Sequence, residues 1–295
     1  MSRSSQMTLG QLELFVALVE AGGFSAAGAR LGISQSSVSH TVKALEQALG
    51  TALFDRRQAP PALTDGAQRL LPHARALLSA AEAIRQEVQA EQGLKSGLLR
   101  IGSFGPSSSL RLLPQLLRAF ALRHPGVEVR VDEEADGVIA QWLVDRRVEL
   151  GFVTLPEERF DTVHLASDEY VVVLPERHPL AAQESVRPRQ LHRQPFIASS
   201  AGCGDEIAGI LARAGAQPLE LFRMPQVISV LGLVAQGLGV SVSVRLALPD
   251  AWPGVVYRPF LPTVERHVAL AMLDRSALSP AAQAFVAMAQ AGVRG

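Results

Sequence analysis

Apolar residues recur at helical spacing near the start of the chain, and they predict three short helices. The first follows a capping-box pair, Thr8 and Gln11, and ends at the glycines at positions 22 and 23. Ser25 is expected to cap the second helix, and Ser34 the third. Gly32 lies between these two helices, which is typical of a helix-turn-helix arrangement.

The third helix has two faces of opposite character. At about 100° per residue, polar side chains share one side: Gln35, Ser36, Ser39, His40, Lys43 and Gln47. Apolar side chains share the other side: Val38, Val42, Leu45 and Leu49. A buried face opposite small hydrogen-bonding groups is typical of a helix that enters the DNA major groove. Segment 53–64 then predicts a two-stranded wing, with Arg56 and Arg57 near its tip.

Residues 65–92 predict one long helix with an apolar seam. The seam residues lie four, three, four, three and four positions apart: Leu70, Ala74, Leu77, Ala81, Ile84 and Val88. A helix of about 28 residues is about 42 Å long, which is too long for one small domain to bury. We expect this helix to pair with its copy in a dimer; the alternative is a surface helix packed on its own domain.

From Leu98 onward, strands alternate with helices, as in an α/β protein with a parallel sheet. The first expected unit has strands 98–102, 127–133 and 150–153, with helices 109–123 and 137–146. The second has strands near 170–174, 195–199, 219–223 and 239–244, with helices near 204–214 and 227–236. Strand 267–273 and helix 280–291 close the chain. The expected fold class is α/β overall, with an N-terminal all-α winged helix-turn-helix, a long linker helix and two Rossmann-like lobes.

Small polar residues follow several of these strands. They are Ser103, Ser107, Ser108, Thr154, Ser199, Ser200 and Cys203. Open α/β sheets bind ligands beyond the carboxyl ends of their strands, so this group predicts a ligand site. Hydroxyls near helix N-termini favour an anion, and a small carboxylate is the expected ligand. The alternative is that each serine only caps the helix that follows it.

The N-terminal residues resemble the LysR-type transcriptional regulators. The resemblance rests on the order and spacing of about 60 residues, among them Gly23-Phe24-Ser25, Ser34-Gln35-Ser36, Leu53-Phe54 and Leu63-Thr64. It implies a homotetrameric bacterial regulator, assembled from homodimers, whose C-terminal domain senses a small molecule in a cleft like that of periplasmic binding proteins. It also implies double-stranded DNA as a partner, and RNA polymerase as a further candidate partner.

The expected domains are 1–66 for DNA binding, 67–95 for the linker helix and hinge, and 96–295 for effector binding. The last divides into one lobe of about 96–163 with 267–295, and a second of about 164–266. The predicted DNA-binding residues are Ser25, Arg30, Ser34, Gln35, Ser36, Ser39, His40, Lys43, Arg56 and Arg57. The predicted effector-binding residues are the seven at the strand ends, and the predicted dimerisation residues are the six of the seam.

The charge of the chain gives no support to DNA binding. The formal net charge is zero, and the first 66 residues are balanced as well, whereas DNA-binding domains are usually basic. We therefore expect weak binding by one domain and useful affinity from several linked copies. No signal peptide or membrane span is evident, so a cytoplasmic location is expected.

Other functions are less well supported by the residues. The common catalytic and nucleotide-binding motifs are missing, so neither an enzyme nor a cofactor is expected. The histidines lack metal-ligand spacing, so no metal is expected. A thiol-responsive regulator acting through Cys203 is one alternative, although the chain has a single cysteine and thus no resolving partner. A cytoplasmic solute-binding module fits residues 98–295 alone, but it leaves the N-terminal pattern unexplained.

Overall fold

The computed structural model describes residues 6–55, 61–90, 96–200 and 202–293. The chain divides into two compact units. The first unit comprises residues 1–97 with 144–147, and the second comprises 98–143 with 148–295. Within the described ranges, none of the helices combines the length and apolar character needed to cross a membrane.

The first unit contains four helices and a short hairpin. The helices are α1 (Leu9–Ala21), α2 (Phe24–Leu31), α3 (Gln35–Leu49) and α4 (Asp65–Ala90), and the antiparallel strands are β1 (Phe54–Asp55) and β2 (Ala62–Leu63). This is the predicted winged helix-turn-helix followed by a long helix. The predicted wing tip, with Arg56 and Arg57, lies outside the described residues.

Local capping groups set the ends of these helices. The Thr8 hydroxyl accepts from the Gln11 N–H at 3.3 Å, and the Gln11 side chain accepts from the Thr8 N–H at 2.9 Å. The Ser34 hydroxyl caps α3 by accepting from the Ser37 N–H at 3.1 Å. The prediction that Ser25 caps α2 is wrong, because α2 begins at Phe24 and Ser25 lies inside the helix. Gly23 is the N-cap residue, and it makes no side-chain hydrogen bond.

The apolar face of α3 forms the centre of this unit. Val38, Val42 and Leu45 are fully buried and pack against Phe15 of α1. The ring of Phe54, at the start of the wing, meets the Phe15 ring edge-on at 6.0 Å. Because all three helices and the wing share this core, the opposite side of α3 is free to be polar.

The apolar seam of α4 is buried at its start and exposed farther along. Leu70 and Ala74, at its start, pack into the core of the winged unit. Farther along, Leu77, Ile84 and Val88 are 47%, 66% and 68% exposed. The first turns of α4 therefore pack on their own domain, as the alternative interpretation expects, while its later turns carry an exposed apolar stripe and their pairing with a second copy stays a prediction.

The second unit is an α/β structure. Its strands are β3 (Gly97–Ser103), β4 (Val127–Glu133), β5 (Leu150–Leu155), β6 (Asp161–Pro175), β7 (Pro195–Ser199), β8 (Leu219–Met224), β9 (Ser241–Val244), β10 (Val255–Pro259) and β11 (Glu265–Met272). Its helices are α5 (Leu113–Arg123), α6 (Asp136–Val144), α7 (Gly204–Arg213), α8 (Val227–Ala235) and α9 (Pro280–Val293). A π-helical turn, Ser107–Leu112, precedes α5.

The long strand β6 belongs to two lobes. Its first part, 161–169, pairs with β11, which in turn pairs with β5. Its last part, 170–175, pairs with β9 and β10. We call the part with β3, β4, β5 and β11 lobe I, and the part with β7 to β10 lobe II. The chain therefore passes from lobe I to lobe II between Glu169 and Tyr170, a few residues after the expected boundary near 163/164.

Two strands were not predicted, namely β10 and the first part of β6. Residues 161–169 include His164, Ser167 and Asp168, so their composition is that of a loop. They form a strand because β11 supplies a hydrogen-bonding partner along their length. In lobe II, alternate residues of β6 enter two different cores, with Tyr170 and Val172 on one face and Val171 and Val173 on the other. The pairing partners of β6 in β11 are about 100 residues away in sequence.

The close contact between α2 and the turn after it generates the first prediction. A Cβ atom on Gly28 would lie 2.8 Å from the carbonyl oxygen of Ile33. The Gly28→Ala change should therefore destabilise this unit by about 1–3 kcal/mol, in spite of the higher helix propensity of alanine. Hydrogen exchange of peptides from residues 9–49 in the full-length chain measures the effect as faster exchange.

The matched control is Gly10→Ala. Gly10 lies in α1, and a Cβ atom there meets nothing within 4 Å. That change should leave exchange unchanged or slow it, because alanine favours the helix by up to about 1 kcal/mol. Equal exchange in the two variants would contradict the close packing of α2 on the turn.

Candidate functional site

The polar face of α3 is accessible over most of its length. Gln35, Ser36, His40 and Lys43 are exposed, and Ser39 is half-buried. Directly opposite, Val38 and Val42 are fully buried. The fold therefore presents the predicted stripe on one surface, with donors and acceptors of the kinds that contact base edges and phosphates.

Other predicted DNA-binding residues have partners inside the unit. The Ser34 hydroxyl lies 2.8 Å from the hydroxyls of both Ser36 and Ser37, in addition to capping α3. Arg30, at the exposed end of α2, forms an ion pair with Glu20 at 2.9 Å. Ser25 is exposed on α2. Arg30 would have to break its ion pair with Glu20 to reach a phosphate, whereas Gln35 and Lys43 are exposed to solvent.

A cavity of about 530 Å³ lies between the two lobes of the second unit. Five of the seven predicted effector-binding residues line it: Ser107, Thr154, Ser199, Ser200 and Cys203. They come from strand ends of both lobes, since Thr154 belongs to β5 and Ser199 ends β7. The volume is in the range of small-molecule sites.

Ser103 and Ser108 do not line the cavity. Both are fully buried, and their hydroxyls lie 2.8 Å apart. The Ser108 hydroxyl also accepts from the Phe104 N–H at 3.0 Å and donates to the Phe104 carbonyl at 2.9 Å. These two serines therefore hold the turn after β3 and leave Ser107 at the cavity surface.

A buried ion pair that the sequence interpretation missed contributes one member, Arg266, to the cavity lining. The Arg266 guanidinium lies 3.0 Å from the Asp168 carboxylate, and the two side chains are 7% and 0% exposed. Arg266 also donates to the Ser107 hydroxyl at 2.5 Å. The second carboxylate oxygen of Asp168 accepts from the Leu246 N–H at 3.0 Å. The network therefore links β6 and β11 to one turn in lobe I and one in lobe II.

A signal for this pair was present in the sequence. Arg266 directly precedes the predicted strand 267–273, and Asp168 precedes the predicted strand near 170–174. Two opposite charges beside apolar strands are consistent with a buried pair, but only the β6–β11 register places them opposite each other.

Asp136 is a second residue that the sequence interpretation missed. It begins α6, lines the cavity, and accepts from the Thr154 N–H at 3.1 Å. Burial raises the pKa of this carboxyl above its ordinary value, while the hydrogen bonds from Thr154 act in the opposite direction. Glu206, which also lines the cavity, adds to the rise in pKa through charge repulsion.

Cys203 lies half-buried at the cavity wall. Burial raises the pKa of its thiol, Arg266 opposes that rise, and Glu206 adds to it. The nearby Tyr170 hydroxyl has its pKa raised to about 12, mainly by burial. At neutral pH the cysteine is therefore a thiol and a poor nucleophile.

The two lobes also meet at an exposed ion pair near the π-helical turn. Arg111, in that turn, donates to the Leu248 carbonyl and to the Asp250 carboxylate, both at 2.8 Å. The same turn contains Ser107, which accepts from Arg266, so both sets of bonds involve this turn. Within the described ranges, no group of three or more histidine, cysteine or acidic residues is placed to hold a metal ion.

Comparison with known proteins identifies the family. Residues 9–68 match the model of the bacterial regulatory helix-turn-helix protein, lysR family, and residues 92–294 match the LysR substrate binding domain. The chain belongs to the LysR family of transcriptional regulators. It is therefore a DNA-binding regulator with an effector-binding domain, in a family that is not enzymatic.

Individual relatives agree with this assignment. HTH-type transcriptional regulator YvbU of Bacillus subtilis is 31% identical over 290 residues, covering 96% of this chain and 98% of the relative. A probable hydrogen peroxide-inducible genes activator of Mycobacterium avium is 30% identical over 252 residues, covering 84% and 81%. The structure of a full-length OxyR variant from Pseudomonas aeruginosa matches with a TM-score of 0.76 and 25% identity, covering 98% of both chains.

The buried ion pair generates a prediction for stability. Replacing Arg266 by methionine should destabilise the second unit by about 3–5 kcal/mol, because the Asp168 carboxylate would remain buried without its guanidinium partner. Hydrogen exchange of β6 and β11 peptides in the full-length chain measures the loss.

The matched control is Arg223→Met. Arg223 pairs with Glu220 at 2.7 Å, but both side chains are well exposed. The change should therefore cost less than about 1 kcal/mol. If the two variants were equally stable, the pair under the cavity would have no special role in the fold.

Proposed function

We propose that this regulator recognises DNA through the polar face of α3 and responds to a small molecule bound between the lobes of its second unit. The observation that carries the first part is the division of α3 into a fully buried apolar face and an accessible polar face. The cavity, with lining residues from both lobes, supports the second part.

Within this proposal, the residues of α3 have distinct roles. Gln35, in the first turn, suits a paired hydrogen bond to adenine, while Ser36, Ser39 and His40 contact base edges or phosphates. Lys43 lies about two helical turns after Gln35 and suits a phosphate contact. Ser25 and Arg30 are assigned to the DNA backbone, and Arg56 and Arg57, outside the described residues, remain predicted wing contacts.

Dimerisation through α4 is part of the same proposal. The exposed residues Leu77, Ile84 and Val88 recur at heptad spacing and suit the surface of a second copy. Ala81 lies half-buried between them. Linked copies would raise the effective concentration of each DNA-binding domain, which compensates for the weak binding expected of one domain with balanced charge. Assembly of dimers into a tetramer, and contact with RNA polymerase, stay predictions.

The chemistry of the cavity does not favour the small carboxylate expected from the hydroxyls. Four acidic residues line it: Glu133, Glu134, Asp136 and Glu206. Arg266 is the cation among the described lining residues, and it is already paired with Asp168. An anion would therefore meet more repulsion than attraction.

Thiol chemistry at Cys203 is the second candidate for regulation. It is favoured by the name of the Mycobacterium avium relative and by the position of Cys203 at the cavity wall. It is opposed by the raised pKa of the thiol and by the single cysteine in the sequence. A solute-binding module without DNA binding, the remaining alternative, does not account for the polar face of α3.

The role of α3 is tested with Gln35→Ala. Nuclease footprinting of DNA upstream of the protein's own gene first locates the bound site. Fluorescence anisotropy on that site and on single-base variants should then show discrimination at one position reduced by about 1–3 kcal/mol in the variant, because the paired bond to one base is lost.

The matched control for this test is Gln68→Ala. Gln68 is exposed on α4, and the same change there should leave base discrimination intact. If Gln35→Ala kept the affinity for every sequence while footprints persisted, α3 would not be the recognition helix. If the wild-type protein gave no footprint at low salt, the DNA-binding proposal itself would fail.

The Cys203 candidate is tested by alkylation and by substitution. Because burial raises the thiol pKa, iodoacetamide should react with folded protein only at higher pH than with urea-denatured protein, where the thiol has its ordinary pKa. Peroxide should leave the footprint of wild-type protein unchanged, and Cys203→Ser should behave like the wild type. A peroxide-dependent footprint that Cys203→Ser abolishes would establish the thiol candidate instead.

A further inference from the structure

The described residues that line the interlobe cavity carry more negative than positive charge. Glu133 and Glu134 stand at the end of β4, and Asp136 begins α6, so lobe I contributes three carboxylates. Glu206, in the first turn of α7, contributes a fourth from lobe II. Because Asp136 and Glu206 line the same cavity, the two lobes bring like charges toward the same space.

The described residues that line this space include one cation, Arg266, and it is already paired. Arg266 is held by Asp168 at 3.0 Å and by Ser107, and its charge lowers the pKa of Asp136 by less than burial raises it. The N-termini of α6 and α7 would each attract an anion, but they carry Asp136 and Glu206 respectively. The sites where an anion would bind are therefore occupied by the protein's own carboxylates.

Compensation of the helix dipole explains an acidic residue at the start of any exposed helix. It does not explain why Asp136 is partly buried in a cavity wall, where loss of solvent raises its pKa. A bound cation would return the favourable interaction that burial removes, and Thr154 already holds the carboxylate in place through its N–H.

One wall of the cavity is aliphatic. Lobe II supplies Val227, Ile228, Val230 and Leu231 from α8, together with Val242 from β9. Ile228 is 53% exposed and extends this aliphatic surface. A ligand that covers these side chains must carry an apolar portion.

We infer that the interlobe cavity binds an organic cation, a small molecule with an ammonium group near Asp136 and Glu206 and an aliphatic portion against α8. The ammonium group offers three donors to the carboxylates, and the aliphatic portion removes apolar surface from water. This inference rests on the proposed function, because it names the ligand class of the same cavity.

Three probes of equal chain length test the ligand class: hexylamine, hexanol and hexanoate. Isothermal titration calorimetry with the full-length protein near pH 7 should show hexylamine binding with a dissociation constant below about 10 mM. Hexanol and hexanoate should bind at least about tenfold more weakly, a difference of about 1.4 kcal/mol.

Two variants locate the ammonium group. Asp136→Asn keeps an acceptor for the Thr154 N–H but removes the charge. Glu206→Gln also removes a carboxylate charge, at an exposed position where folding is not at risk. Each should weaken hexylamine binding about tenfold and leave hexanol unchanged. The control Glu184→Gln, at an exposed position outside the cavity lining, should bind hexylamine as the wild type does.

The outcomes separate this inference from the proposed function. Hexanoate binding as tightly as hexylamine, no hexylamine binding up to about 10 mM, or equal loss in Glu184→Gln would each overturn the organic-cation inference. Hexylamine binding that leaves DNA affinity unchanged supports the ligand class and contradicts regulation through this cavity. A footprint shifted by hexanoate and not by hexylamine supports the regulation and overturns the ligand class.

Discussion

The buried pair of Arg266 and Asp168 is the interaction on which the second unit depends. It lies where β6 and β11 run side by side, and its hydrogen bonds extend to Ser107 in lobe I and to the Leu246 N–H in lobe II. A buried ion pair is stabilising only when its remaining donors and acceptors are satisfied. Here the backbone satisfies the second carboxylate oxygen, so the charged groups fix the junction of the lobes and the floor of the cavity together.

The same pair determines the electrostatics of the ligand site. Because the guanidinium is paired with Asp168, the four carboxylates among the described lining residues outnumber the one cation that lines the cavity. The hydroxyls of Ser107 and Thr154 then serve mainly to hold charged groups in position, through the bond from Arg266 to Ser107 and the hydrogen bonds from Thr154 to Asp136. Hydroxyls at strand ends are therefore compatible with either sign of ligand, and the ionised neighbours decide between them.

The first unit follows a simpler rule. Val38, Val42 and Leu45 bury one side of α3 against α1 and the wing, so the other side must face outward. Ser34 and Gly50 set the ends of the helix, and Gly28 allows the turn before it to pack closely. Because the charges of residues 1–66 balance, affinity for DNA has to come from placement of individual groups and from linked copies, for which the exposed stripe on α4 offers a surface.

The sequence by itself determined the winged helix-turn-helix, the long helix, the alternation of strands and helices, and the strand ends that line the cavity. These features depend on local periodicity, capping residues and turns, which a short stretch of sequence contains. Only the tertiary structure decided that β6 spans both lobes, that Ser103 and Ser108 are buried, and that Arg266 opposes Asp168. The pairing of β6 with β11 joins partners about 100 residues apart, and burial and charge at the cavity are properties of groups that the tertiary fold brings together.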